Sequence, residues 1–356
     1  MTTLPLHELH AALGATFTTV HGAEVVADYG DATAEHAALR DTLGVLDLSH
    51  RSRLCLMGAD RVKFLHGQVT NDVQRLRTGE GCYAALVNAK GRMHSDLNLY
   101  RLADELLLDF EPGYTAAVAQ RLEKYIITDD VQWLDAAPHY GLLSVQGPRA
   151  AETVSALGLD WKLPEQPLAF TTLDDATLGR LYLMHRAGDC KSPARGFDLF
   201  IPTASLGAGF AKLLAAAQSL GGRACGWHAS EAARIESGIP RFGHDMDETN
   251  LPPEAGIESR AVSYSKGCYI GQEVIARIRT YGQVAKTLRS LRLPADLPRL
   301  PARGDKLFVG DKEVGHLTSV IPGHALGYVR KEHNASGTKL MLRTAAGDCV
   351  ATVAAA

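Results

Sequence analysis

The feature that most constrains the fold is the shortness of the connections between strand candidates. Apolar runs predict strands over 83–88 and 97–102, and a turn signal, Ala-Lys-Gly-Arg at 89–92, follows the first of them. Another strand is predicted close behind, over 106–110. Parallel strands need a crossover of a dozen or more residues, so these strands are expected to pair antiparallel. The sequence therefore predicts an α+β fold and not a doubly wound parallel sheet.

Capping residues predict helices before and after these strands. Thr33 is expected to cap a helix near the N-terminus, and Asp60 a helix that follows a short strand. Strand patterns return over 141–146, 178–184 and 197–201, and a long alanine-rich helix follows. This stretch predicts a second α+β unit.

Length and composition are those of a globular protein with more than one core. A chain of 356 residues that is 46% hydrophobic predicts two or three domains. Between 279 and 301 an alternating pattern and a proline-rich bend indicate a small C-terminal β-barrel or sandwich. The net charge of -3, with both signs interspersed, predicts no direct binding of nucleic acid. Apolar stretches far shorter than the roughly 20 residues of a membrane helix, and an N-terminus unlike a secretory signal, predict a cytoplasmic protein without a membrane partner.

The cysteines and histidines show no local metal-site spacing. No cysteine pair is spaced as Cys-x-x-Cys, so neither a disulfide framework nor a zinc or cluster site is predicted from neighbouring residues. The sequence does not decide whether two chains share a metal site. Four histidines near the motifs described below likewise lack the spacing of metal ligands; they are His50, His66, His94 and His244.

One cysteine has chemically suggestive neighbours. Residues 266–273 read Lys-Gly-Cys-Tyr-Ile-Gly-Gln-Glu, and a helix-compatible run follows. A helix N-terminus and the Lys266 ammonium both favour a thiolate, so Cys268 is a candidate nucleophile, redox centre or soft-metal ligand. No histidine or second cysteine lies nearby to serve as base or resolving thiol. The residues alone equally allow a glycine turn with Lys266 in solvent and Cys268 packed as a small apolar side chain.

The octapeptide resembles the Lys-Gly-Cys-Tyr-x-Gly-Gln-Glu signature of YgfZ proteins. These proteins belong to the glycine-cleavage T-protein (aminomethyltransferase) superfamily and are similar to a related mitochondrial iron-sulfur assembly factor. The similarity extends over most of the chain and is carried by further segments at 67–73, 89–93, 234–240 and 252–256.

The resemblance implies a three-domain, T-protein-like arrangement around a central folate pocket. It implies a discontinuous folate-binding α+β domain (1–48 and 138–280), a second α+β domain (49–137) and a C-terminal β-barrel domain (281–356). The implied cofactor is tetrahydrofolate or a derivative. The implied partners are iron-sulfur client or assembly proteins.

Site residues follow from the same resemblance. Asp198 matches the acid that holds the pterin, Arg234 a basic contact and Tyr83 an aromatic wall. Each has a simpler alternative: Asp198 as a solvated strand end, Arg234 as a surface cation paired with a neighbouring glutamate, and Tyr83 as a half-buried strand aromatic. The functional centre would be Cys268, supported by the rest of its motif, namely Lys266, Gly267, Tyr269, Gly271, Gln272 and Glu273.

Two departures from the T-protein pattern shape the functional hypothesis. Ser95 stands where the catalytic-type aspartate is expected, and a serine cannot exchange a proton as a carboxylate does. Residues 191–195 differ from the segment that usually precedes the pterin-binding acid in T-proteins. We therefore expect a folate-binding protein that supports assembly or repair of iron-sulfur clusters through Cys268. The alternatives are a one-carbon transferase that uses Asp96, and a non-catalytic folate sensor or scaffold.

Overall fold

Short helices and mostly antiparallel strands alternate along the chain in a computed structural model, which describes residues 2–186, 196–282, 284–294, 296–345 and 347–355. The helices are α1 (His7–Ala12), α2 (Ala32–Asp41), α3 (Arg61–Gln68), α4 (Thr115–Glu123), α5 (Ala150–Ala156), α6 (Leu206–Ser219), α7 (Trp227–Glu236), α8 (Glu258–Ala261) and α9 (Gln272–Tyr281). The strands are β1 (Thr16–Val20), β2 (Ala23–Asp28), β3 (Gly44–Asp47), β4 (Ser52–Met57), β5 (Gly81–Val87), β6 (Met93–Arg101), β7 (Leu106–Phe110), β8 (Gln132–Asp135), β9 (Tyr140–Gln146), β10 (Phe170–Asp175), β11 (Gly179–His185), β12 (Gly196–Pro202), β13 (Arg223–Ala224), β14 (Lys286–Arg292), β15 (Lys306–Val309), β16 (Lys312–Ile321), β17 (His324–Arg330), β18 (Lys339–Thr344) and β19 (Gly347–Val353).

The strands form a hairpin, two larger sheets and a barrel. The hairpin is β1-β2, the six-stranded sheet has the order β10-β11-β12-β9-β3-β13, and the five-stranded sheet has the order β5-β6-β7-β4-β8. The barrel β14-β17-β16-β15-β18-β19 is closed by the pairing of β14 with β19. The short pairing of β13 with β3 is parallel. The predicted α+β class and C-terminal barrel are confirmed.

The chain divides into two compact units. The first consists of Met1–His66, Asp72–Tyr83 and Leu97–Ala233, and the second of Gly67–Asn71, Ala84–Asp96 and Arg234–Ala356. The three-domain boundaries implied by the resemblance stay a prediction.

In the first unit, the two faces of the six-stranded sheet enter different cores. Alternate residues such as Leu143, Val145 and Leu199 pack in a core with Phe210 of α6. Their neighbours point the other way, because successive side chains of a strand alternate between faces. On that second face a cluster shared with the five-stranded sheet lies between the two sheets; it contains Cys55, Tyr100, Leu107, Leu142, Phe170, Met184 and Phe200.

The N-terminal region differs from the sequence prediction in two details. The cap of α2 is Asp31, whose carboxylate accepts a hydrogen bond from the Ala34 amide, so the prediction of Thr33 as the cap is wrong. The hairpin β1-β2 was not predicted. Its two-residue turn places His21 at φ 47° and Gly22 at φ 82°, which is the left-handed backbone that tight hairpin turns require.

A fully buried carboxylate ties α1 to the six-stranded sheet. Asp47 of β3 lies 2.9 Å from Nε2 of His10, and its other oxygen accepts the Ser49 amide at 2.8 Å. The second ring nitrogen of His10 lies 2.8 Å from the Tyr29 hydroxyl. Burial acts to raise the pKa of Asp47, but the hydrogen bonds and charge of His10 and the bonds from Ser49 hold that pKa below its usual value.

We predict that Asp47→Asn lowers the free energy of unfolding at neutral pH by about 3 kcal/mol, because it removes a fully buried carboxylate that is hydrogen-bonded to His10 and Ser49. A carboxylate with a lowered folded pKa stabilises above its unfolded pKa of about 3.9 and loses that effect as the pH falls through the folded value. The difference between the two proteins should therefore shrink below about pH 4 in urea titrations. The control Asp41→Asn, at an exposed position, should leave stability unchanged. An Asp47→Asn protein as stable as the original would contradict this account.

Candidate functional site

The octapeptide lies in the second unit, where residues 262–270 run without regular structure from α8 to α9. Lys266 is buried, and its ammonium donates to the carbonyl oxygens of Val69 at 2.7 Å and Asn71 at 2.9 Å. The ammonium also lies 4.8 Å from the centre of the Tyr269 ring. The alternative that Lys266 sits in solvent is therefore wrong. Because a buried charge must be paired or hydrogen-bonded, these contacts anchor the loop.

Backbone hydrogen bonds hold both ends of this loop against residues 67–71. The Ile270 amide donates to the Gly67 carbonyl at 3.1 Å, and the Ser263 amide donates to the Thr70 carbonyl at 3.0 Å. The Thr70 hydroxyl donates to the Ala261 carbonyl at 2.6 Å. Two segments that the sequence singled out, 67–73 and 266–273, therefore meet.

A third singled-out segment packs at the start of α9. Gly271 caps the helix at φ 82°, and a Cβ there would lie 2.4 Å from the Asn88 carbonyl oxygen of the β5-β6 turn. Gly91, in the same turn at φ 71°, would place its Cβ 3.3 Å from Val274 of α9. Glycine is required at 271 both by the left-handed backbone and by this close approach.

Cys268 and Gly267 are exposed between the buried Lys266 and Tyr269. Lys266 and Tyr269 point inward, and burial raises the pKa of the Tyr269 phenol to about 12. The alternative that Cys268 is packed as a small apolar side chain is therefore wrong. By contrast, Cys225 is buried, and burial raises the pKa of its thiol to about 12. Glu273 lies exposed in the first turn of α9, where a negative charge is favourable.

Arg234 lies at the end of α7, in the second unit, with its side chain 12% exposed. Its guanidinium donates to Asp245 at 2.7 Å and to the Ser319 hydroxyl of β16 at 3.0 Å. Asp245 also accepts the hydroxyls of Thr318 and Ser319, each at 2.6 Å. Burial acts to raise the pKa of Asp245, but Arg234 and the two hydroxyls hold it below its usual value. Arg234 is therefore not a surface cation, whereas its pairing with a neighbouring glutamate and its contact with folate stay predictions.

Tyr83 and Asp198 belong to the first unit. Tyr83 is half-buried against the cluster between the two sheets. Asp198 lies on β12, 7% exposed, and accepts the Arg186 guanidinium at 2.7 Å. A solvated strand end is therefore excluded for Asp198. The segment 191–195 lies outside the described residues.

Sequence reasoning missed the partners of Asp198. Arg186 also donates to the Ser144 hydroxyl at 3.2 Å, and the Gln146 amide donates to the same oxygen at 3.0 Å. Ser144 and Gln146 are buried polar residues at alternate positions of β9, which is otherwise apolar. Polar residues spaced by two in a buried strand are the signal that would have marked this face.

The position of the expected catalytic aspartate is occupied by a buried serine. Ser95 is fully buried on β6, and its hydroxyl donates to the Asp96 carbonyl at 2.8 Å. Asp96 is half-buried on the opposite face of the strand. Within the described ranges, no group of three or more His, Cys, Asp or Glu residues is placed to hold a metal ion. No helix in the described part of the chain is long and apolar enough to cross a membrane.

We predict that Gly271→Ala destabilises the second unit by more than about 1 kcal/mol, because it combines backbone strain with a clash at the Asn88 carbonyl. The matched control is Gly282→Ala, beyond the other end of α9, where φ is -125° and the nearest heavy atom lies 3.5 Å away. Chemical denaturation followed by circular dichroism measures both. Equal stability of the two variants would contradict the proposed close approach.

Comparisons with known proteins agree with this architecture. Residues 6–266 match the family described as GCVT N-terminal domain, and residues 287–355 match CAF17, C-terminal beta-barrel domain. An aminomethyltransferase of Symbiobacterium thermophilum is 28% identical over 353 residues, covering 94% of this chain and 91% of that protein. One of Saccharopolyspora erythraea is 28% identical over 354 residues, covering 95% and 92%.

A solved structure shares the fold. The glycine cleavage system aminomethyltransferase T from Bartonella henselae superposes with a TM-score of 0.87 at 24% identity, covering 99% of this chain and 97% of that chain. The GCVT match extends over most of the sequence and over both units. This protein therefore belongs to the GCVT domain family.

Proposed function

We propose that this protein is a cytoplasmic member of the YgfZ branch of the family, which binds a reduced folate and supports assembly or repair of iron-sulfur clusters in client enzymes. The observation that carries the proposal is the exposed thiol of Cys268 on a backbone held by buried groups. The match of the C-terminal region to the CAF17 barrel domain supports this branch.

The residues around Asp198 offer the kinds of group that we propose hold a folate. A pterin needs an acceptor for its N–H edge and an apolar or aromatic wall for its rings. Asp198 supplies the acceptor, and Tyr83 together with the neighbouring buried cluster supplies the wall. When bound, a reduced folate carries one-carbon units. Arg234, in the second unit, is a separate proposal as a basic contact of folate.

The Cys268 loop fits a role in handling thiol-ligated cargo. A thiolate is a strong nucleophile and a soft ligand of the kind that iron-sulfur clusters use. We propose that the buried ammonium of Lys266, together with Gly267 and Gly271, fixes the backbone that presents Cys268. Gln272 and Glu273 are proposed to orient the motif. A rigid, exposed thiol suits contact with a client protein, because the client meets a preformed site.

A second candidate function is one-carbon transfer to folate. It is favoured by the names of the relatives, which are called aminomethyltransferases. Ser95 weighs against it, because a buried hydroxyl bonded to a backbone carbonyl does not supply a carboxylate. In this chain Asp96 would have to act as the acid-base group.

We predict that cells lacking this protein lose activity of a [4Fe-4S] client enzyme, and that the natural chain restores it whereas Cys268→Ala does not. Cys349→Ala, which removes a half-buried thiol of the barrel, is the matched control and should restore activity fully. Client activity and protein abundance are measured together, so that loss of folding is recognised. Full rescue by Cys268→Ala would instead favour a sensor or scaffold without thiol chemistry.

We further predict that the purified chain does not transfer a one-carbon unit from a small amine to tetrahydrofolate. Single-turnover assays with and without Asp96→Asn test this. Turnover by the natural chain that falls about 100- to 10,000-fold in Asp96→Asn would establish Asp96 as an acid-base group and overturn the preferred function.

A further inference from the structure

A small polar group interrupts the apolar face that the six-stranded sheet turns toward the five-stranded sheet. Ser144 and Gln146 of β9 and Asp198 of β12 point to this face, as do the apolar Leu142 and Phe200. Asp198 lies directly across from Ser144 in the antiparallel ladder. The polar groups are therefore neighbours by register and not by chance of loop conformation.

Arg186 completes this group from the residue after β11. Its Nη1 atom donates to Asp198 Oδ1 at 2.7 Å and to Ser144 Oγ at 3.2 Å. The side chain of Arg186 is 25% exposed and that of Asp198 is 10% exposed. Within the described residues, the hydrogen bonds of this guanidinium come from Nη1, which leaves Nε and Nη2 with donors to offer.

A buried tyrosine, Tyr100, belongs to the cluster on this face of the sheet. Tyr100 is 1% exposed, and burial, together with the charges of Asp198 and Asp109, raises the pKa of Tyr100 well above its usual value. The Arg186 charge acts in the opposite direction on that pKa. The same cluster contains Phe200, and the ring centroid of Tyr100 lies 6.3 Å from that of Phe200, two residues from Asp198 on β12. A charged acceptor and a charged donor therefore stand on a face that also carries aromatic side chains.

We infer that Arg186 is a specificity-determining residue that works with Asp198 to select a 4-oxopteridine. The inference rests on the proposed binding of folate to this face. The pterin of a folate carries N–H donors next to a 4-oxo acceptor, which is the complement of a carboxylate beside a guanidinium. Asp198 accepts from the N–H edge, and Arg186 donates to the 4-oxo group. A 4-amino analogue presents donors to Arg186 and leaves the guanidinium unsatisfied.

The ligands that test this are tetrahydrofolate, with a 4-oxo group and an N3–H donor, and tetrahydroaminopterin, with a 4-amino group and an unprotonated N3. Anaerobic calorimetric titrations are made at a pH at which both ring systems are neutral. We expect the natural chain to prefer tetrahydrofolate by about 10- to 100-fold, the size of one charge-assisted hydrogen bond. Arg186→Met should bind tetrahydrofolate more weakly and lose the share of the preference that depends on the 4-oxo group, so that the preference falls by about 10-fold, and Arg186→Lys should lose less of it.

The control is Arg180→Met on β11, the strand that precedes Arg186. Arg180 is exposed and paired with Asp174. This substitution should leave the preference intact, and thermal unfolding shows which variants are folded. Binding of tetrahydrofolate without preference over its 4-amino analogue, or a preference that is undiminished in folded Arg186→Met, would overturn the inference while leaving folate binding in place. Failure of the natural chain to bind either ligand would overturn the proposed function itself.

Discussion

The buried ammonium of Lys266 is the interaction on which the thiol loop depends. It donates to two carbonyls of residues 67–71, and the loop therefore cannot move away without leaving a charge unpaired in the interior. The hydrogen bonds of Ile270 and Ser263 to the same segment add direction but little energy individually. Together they hold Cys268 outward, so that the one exposed thiol among the described cysteines stands on a firm backbone.

Buried carboxylates in both units follow one physical rule, which is that a buried charge must be hydrogen-bonded. Asp47, Asp245 and Asp198 are each buried, and each accepts hydrogen bonds from a partner fixed by secondary structure. In the first two the network satisfies the carboxylate from several directions, as suits a group that maintains the fold. Asp198 differs because its strong partner, Arg186, lies just after a strand, and the hydrogen bonds of that guanidinium within the described residues all come from Nη1. That asymmetry is typical of a binding surface and not of a closed structural network.

Membership of the GCVT domain family explains the architecture but leaves the chemistry to particular residues, because one fold supports different functions. The serine at position 95 shows this clearly. It occupies a fully buried place on β6 and is satisfied by the backbone of its neighbour. A carboxylate in that environment would need its own partner. The scaffold of the aminomethyltransferase relatives is thus retained while the proton-transferring group expected there is absent from this position.

The sequence by itself determined the α+β class, because short connections exclude parallel pairing, and it located the thiol motif, because Lys, Gly and Cys occur there in a recognisable order. The sequence predicted both ends of strand β7 correctly, since its apolar run is bounded on both sides. The cap of α2 and the β1-β2 hairpin were missed, because several polar residues near Asp31 can cap equally well and the hairpin depends on one His-Gly turn. Only the tertiary structure decided that Lys266 is buried, that Cys268 is exposed and that Arg186 faces Asp198. Those facts depend on contacts between residues far apart in the chain, which local patterns do not encode.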